Sequence, residues 1–307
     1  MPERMLPGTT ACRWMHTEGV RFSKPFFDES ISECRLLPLN RKLCSVVTEL
    51  SFLPEAAAQL EAVEPAAFIF HISRCGSTLF TQLLGLDEEN LVLPEVPFID
   101  QLLRLGEGIS EEQRTAYLKA AIRLVGQRRF PNEKRLIVKL DSWHLFFADT
   151  LRRAFPGVPF ILLYRSPEAV LNSHARRRGT QMIPGMVGPA LFGLPPSEEY
   201  AHQLDRYAAL TVEKYLGKML QLVQSDPKTM LACYDAGIFE ELLRACAFAG
   251  IPVSSDLEEK MRQRQRFHSK EPGMVFSGDV NTGLKNVDLA PLEELFAALE
   301  KIRLSGR

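Results

Sequence analysis

From about residue 66 onward the chain alternates short apolar runs with longer amphipathic ones. That alternation constrains the fold more than any other feature of the sequence. Residues 67–71, 136–140, 160–164 and 230–234 are short, apolar and bounded by polar or turn residues. Each is followed by a stretch long enough for a helix: 78–86, 143–155, 167–178 and 237–249. Short runs that are apolar throughout suit strands buried on both faces, and their alternation with helices predicts a parallel sheet covered on both sides. Proline and glycine within 155–159 are expected to stop one helix before the next strand begins.

Composition excludes several classes. A chain of 307 residues with 46% hydrophobic content can bury a full core. The formal net charge of -1 and the lack of an aromatic-basic strip argue against nucleic acid as a partner. Residues 1–20 have no apolar run of signal-peptide length, and the longest apolar runs fall far short of the ~20 residues a bilayer needs. Six cysteines without a CxxC pair point to free thiols and a reducing cytoplasm rather than disulfides or a thiolate zinc site. Residues 1–64 carry scattered aromatics and a helical period only near 53–62; we expect an N-terminal appendage packed on a 65–307 core domain. Residues 179–197 hold four prolines and four glycines, which reads either as a lid over an acceptor pocket or as a loose excursion.

The sharpest local signal lies at 68–79, where an apolar run meets Ser73-Arg74-Cys75-Gly76-Ser77-Thr78. A strand running through a tight turn into a helix aims backbone N–H groups and a positive helix end at one point. Arg74 adds charge there, and Ser77 and Thr78 add hydroxyl donors. A Walker A loop would need a lysine before its Ser/Thr, and none is present, so a dianion held without metal suits the loop better than a Mg-nucleotide. The plainer alternative is a capped helix after a strand. A second segment repeats the grammar: a strand over 160–164 ends at Arg165, Pro167 pre-sets a helical turn, Ser173 follows, and Arg176, Arg177 and Arg178 close the helix. Arg178 reads best as a cation at the C-terminal dipole. Arg165 stands where parallel sheets bind ligands.

Together these segments resemble the sulfotransferase superfamily, closest in motif layout to its bacterial and protein-tyrosine branches. Arg74-Cys75-Gly76-Ser77-Thr78 resembles the 5′-phosphosulfate loop, and Arg165-Ser166-Pro167 with Ser173 resembles the 3′-phosphate element. Tyr234-Asp235 looks like the family's Tyr-Glu-Asp strand end, and the likeness runs from about residue 66 to 252. It implies a P-loop NTPase-like, three-layer α/β/α fold with 3′-phosphoadenosine 5′-phosphosulfate as donor, a small-molecule acceptor and no metal. Cys75 departs from the serine that the family often carries; inert packing is the expectation. The resemblance brings Arg177 and Tyr234 to the nucleotide; Ser269 and Lys270, in the basic stretch 266–273, read either as a loop closing over the nucleotide or as a solvated loop.

Sulfuryl transfer needs alignment and a cation on the leaving side, plus a base for the acceptor's proton. Arg74 supplies part of the cation, and Lys139 resembles the family's lysine beside the bridging oxygen; otherwise it is a strand-end lysine at the surface. For the base, Glu95 resembles the glutamate of the bacterial and protein-tyrosine branches. Asp141 stands where the cytosolic branch has its histidine. His144 is expected to turn away on a helix. The ranking is Glu95, Asp141, His144, with a dipole-complementing role as the alternative for Glu95. His71 reads as a satisfied core histidine, and the arginines of 261–266 as a solvated face. Competing readings are a non-catalytic nucleotide-binding relative and a small-molecule kinase with an atypical loop.

Overall fold

A computed structural model describes the chain apart from residues 42–45, 107, 201, 267–286 and 307. Eight strands are described. β1 (Pro2–Met5), β2 (Ala11–Trp14) and β3 (Val47–Glu49) form a small antiparallel sheet in that order. β4 (Pro65–His71), β5 (Asn90–Pro94), β6 (Arg135–Lys139), β7 (Phe160–Tyr164) and β8 (Thr229–Cys233) form a five-stranded parallel sheet flanked by helices. Its order is β5-β6-β4-β7-β8. This is the α/β architecture that the alternation predicts. β5, β7 and β8 are buried at every position, as strands covered on both faces must be.

The register has a chemical consequence. Pro94 pairs with Lys139 and Tyr164 pairs with Cys233, so the residues leaving each strand pair emerge side by side. Glu95 therefore follows beside Lys139, and Arg165 emerges beside Tyr234.

The chain divides into two compact units. One comprises Met1–Phe68, Thr81–Val158 and Ser255–Met261; the other comprises Ile69–Phe80, Pro159–Ser254 and Arg262–Arg307. In the first unit the N-terminal residues are tied in by the bond from Met5 N to Gln101 Oε1 and by Arg129 stacked 4.2 Å over Phe22. The helix Glu111–Val125 starts from a capping box in which Ser110 and Gln113 satisfy each other's backbone N–H groups. In the second unit the long helix Leu204–Ser225 supports residues 179–200. That stretch is three short 3-10 turns with Met182, Val187, Phe192 and Tyr200 buried, and with Phe192 and Tyr200 set against Tyr215 and Tyr207. It is a packed segment, not a loose excursion. Also in this unit, Arg262 lies 4.3 Å over Phe239, so this arginine does more than face solvent.

Three features differ from expectation. The helix expected over 143–155 is a 3-10 segment, Ser142–Phe147, followed by an α-helix, Ala148–Ala154. β5 and the N-terminal sheet were not anticipated.

Candidate functional site

In the second unit the loop after β4 is built from strained backbone. Ser73 and Arg74 both have positive φ, 63° and 55°, and Gly76 follows at 78°. Non-glycine residues rarely hold this conformation, and it persists only where surrounding contacts impose it. Several such contacts are present. Ile72 N donates to Leu163 O at 3.2 Å, and Cys75, fully buried, sets its Sγ 3.4 Å from the same oxygen. Ser73 N donates to His71 Nδ1 at 3.0 Å, so His71 is a buried core histidine bonded to the loop through that nitrogen. Glycine is required at 76: a Cβ there would fall 2.6 Å from Tyr234 Cε2. Ser77 and Thr78, both buried, open the eight-residue helix Ser77–Leu84.

The segment after β7, the second one expected to bind an anion, is joined to this loop. Arg74 Nη2 donates to the carbonyl of Arg177 at 2.6 Å, at the C-terminal end of the helix Pro167–Arg176. Arg177 itself is exposed, and Ser173 is half-buried on that helix. Arg178 pairs with Asp205 and also donates to Leu204 O at 3.2 Å. Arg165 lies 4.5 Å over the Tyr234 ring, with its Nε 3.4 Å from Asp235 Oδ1. Arg74, Arg165, Arg177 and Tyr234 are thus brought together with the loop inside one unit. Ser269 and Lys270 lie outside the described residues.

The first unit holds the candidate bases and Lys139. Lys139 is 1% exposed, and its Nζ lies 2.6 Å from Glu95 Oε1. The surface-lysine alternative therefore fails. Glu95 is the third non-glycine residue at positive φ, 52°, and its N–H donates to Lys139 O at 2.7 Å. Its side chain is 32% exposed, so it faces both the buried ammonium and solvent. Burial pushes the Asp141 carboxyl up to about 7; His144 and Lys139 pull it down, while Glu95 and Asp100 push it further up.

His144 is buried and held at both nitrogens. Its Nδ1 accepts the Asp141 N–H at 3.2 Å, so Nε2 carries the proton and donates to Asp100 Oδ1 at 3.0 Å. Burial works against the Asp100 carboxylate, but hydrogen bonds from His144 and Trp143 hold it below the ordinary range. Asp100, Asp141 and His144 place ligand-type atoms within 4.8 Å of one another. As they stand, the bond from Asp141 N to Nδ1 and the contact between Nε2 and Asp100 Oδ1 join the three into one hydrogen-bonded cluster. Sequence reasoning missed Asp100. It falls on the helix Pro97–Leu103 with no motif around it, and only the fold brings it to His144.

No family model matches the chain, and no curated protein matches it. Among solved structures it is similar to a sulfotransferase from Alicyclobacillus acidocaldarius, at 16% identity and TM-score 0.47, covering 78% of this chain and 96% of that one. It is likewise similar to the sulfotransferase STF9 from Mycobacterium avium, at 14% identity and TM-score 0.49, covering 86% and 82%. A sulfotransferase domain from the curacin biosynthetic pathway shares 17% identity at TM-score 0.48, covering 78% and 99%.

Proposed function

We propose that the chain transfers a sulfuryl group from 3′-phosphoadenosine 5′-phosphosulfate to a hydroxyl or amine of a small-molecule acceptor. The observation that supports this reading is that the loop after β4 and the segment after β7 are joined within one unit. A strained, lysine-free loop is tied through Arg74 to the helix that follows Arg165. The donor set suits a nucleotide with separate phosphate groups. The loop amides with Ser77 and Thr78 would hold the 5′ side, and Arg165, Ser173 and Arg177 the 3′-phosphate. Bound there, the donor supplies the sulfuryl group and a stable bisphosphate leaving group.

The candidate bases lie in the first unit. Glu95 is the proposed base, with the Lys139 ammonium 2.6 Å from its Oε1. Asp141, titrating near neutrality, is the second candidate. Among the described residues no helix is long and apolar enough to cross a membrane. Cys12, Cys34, Cys75, Cys233 and Cys246 form no disulfide, in keeping with a cytoplasmic enzyme.

Calorimetric titration with adenosine 3′,5′-bisphosphate, beside ADP with and without magnesium, tests the reading. Metal-free preference for the bisphosphate, weakened at least about tenfold in Arg165→Ala, is expected from loss of a charge-assisted contact. Equal or better binding of Mg-ADP would overturn it in favour of a kinase. Bisphosphate binding without any sulfuryl transfer across an acceptor screen would favour a non-catalytic relative.

A further inference from the structure

Arg165 leaves β7 with two neighbours that the register of β7 on β8 fixes beside it. The Tyr234 ring covers its guanidinium at 4.5 Å. Asp235, the next residue, uses both carboxylate oxygens on the same turn: Oδ1 lies 3.4 Å from Arg165 Nε, and Oδ2 accepts the Ser166 N–H at 2.7 Å. Ser166 precedes Pro167 at the start of the helix Pro167–Arg176, and its own side chain makes no capping bond. A carboxylate from the 3-10 turn Tyr234–Ala236, just after β8, therefore fixes the turn that aims Arg165. The same Tyr234 ring closes over Gly76 of the phosphate loop.

We propose that Asp235 is a positioning residue for the Arg165 anion site. It acts by clamping the side of the guanidinium at Nε and the backbone of the turn, while Tyr234 sets its plane. A flexible arginine loses much side-chain entropy when it binds an anion; one held at Nε and on its face has lost most of it beforehand. Asp235 is 37% exposed, so its negative charge is screened and repels an incoming phosphate only weakly. Positioning therefore outweighs repulsion, and that fixes the sign of the effect. The inference rests on the nucleotide reading above, and it is tested so that the two can fail separately.

Wild type, Asp235→Ala, Arg165→Ala and the double variant would be titrated with adenosine 3′,5′-bisphosphate and, separately, with inorganic phosphate. Asp235→Ala is expected to weaken bisphosphate binding roughly five- to tenfold, but less than about twofold when Arg165 is already absent. Asp235→Asn, which keeps an acceptor for Ser166 N–H, should recover part of the loss; it also serves if the alanine variant does not fold. Tighter binding by either variant would show that Asp235 acts as a competing anion and overturn the proposal. So would equal losses with and without Arg165, the mark of a merely structural role. Coupling seen with inorganic phosphate but no bisphosphate binding would keep Asp235 in its role and remove the nucleotide reading. Binding of neither probe to wild type would remove both.

Discussion

The two units make their chemistry in different ways. In the second unit the candidate anion site is mostly backbone. Ser73, Arg74 and Gly76 hold left-handed geometry, a helix begins at Ser77, and the arginines attach to carbonyls, rings or exposed carboxylates. In the first unit the chemistry is carried by side chains taken out of water: Lys139 on Glu95, His144 on Asp100, and an Asp141 whose carboxyl is pushed up to about 7. A backbone cradle tolerates side-chain change but not a change of backbone geometry. A cluster of buried titratable groups behaves in the opposite way. On this contrast, substitutions in the first unit should alter turnover and pH dependence, and those in the second should alter anion affinity and the stability of the loop.

The largest effect is expected at Lys139. Lys139→Met keeps the length and burial of the side chain and removes only the charge. The sulfuryl-transfer rate should fall about 10³-fold, the scale of losing one preorganised cationic donor, with bisphosphate affinity changed less than about threefold. Rate measurements beside calorimetry on one preparation would check this. If affinity fell in step with rate, the division between the units would break down.

Asp141→Asn sharpens the contrast through pH. The folded carboxyl titrates near 7, against an ordinary value of 3.8, so the folded state holds the proton more tightly than the unfolded chain does. Its contribution to stability is full below about pH 4, declines as pH rises, and is gone above about 7. The asparagine variant mimics the neutral acid and should lack this loss. Relative to wild type it should therefore gain about 2–3 kcal/mol between pH 4 and 8, somewhat under the ceiling set by 1.36 kcal/mol per pKa unit. Urea unfolding of both proteins across that range would show it. Parallel profiles would mean that Asp141 is as well solvated as a surface carboxylate.

The two units also differ in how far the sequence discloses them. The second was legible because its signals are local. The turn residues of 73–78 and the Arg165-Ser166-Pro167 step each lie in a few consecutive positions whose chemistry needs no distant partner. β4, β6, β7 and β8 fall within two residues of the apolar runs at every end, since burial on both faces leaves a continuous hydrophobic signature. β5 was hidden because only Leu91, Val92 and Leu93 separate Asn90 from Pro94, and that reads as a stiff turn around Glu95. β1 to β3 run three or four residues each and include Glu3, Arg4, Arg13 and Glu49, so no period could emerge. In the first unit, Glu95, Lys139 and Asp141 were picked out by family likeness. The Glu95–Lys139 pair and the role of Asp100 depend on strand register and helix placement, which no short window contains.

The smallest expected effect tests the backbone side of the comparison most directly. Ser73 and Glu95 have nearly equal φ, 63° and 52°, one in each unit, so glycine should relieve the same conformational cost at both. A left-handed L-residue costs about 1–2 kcal/mol, and glycine's extra freedom in the unfolded chain returns about 0.5–1. Ser73→Gly keeps the N–H that bonds His71, and should raise stability by up to about 1 kcal/mol. Glu95→Gly gains the same relief but strips the carboxylate from a lysine that is 1% exposed, so it should be destabilising. Urea midpoints of the two variants should therefore move in opposite directions. Movement in the same direction would mean that backbone strain, not the buried ion pair, governs both positions, and that the units are built less differently than their side chains imply.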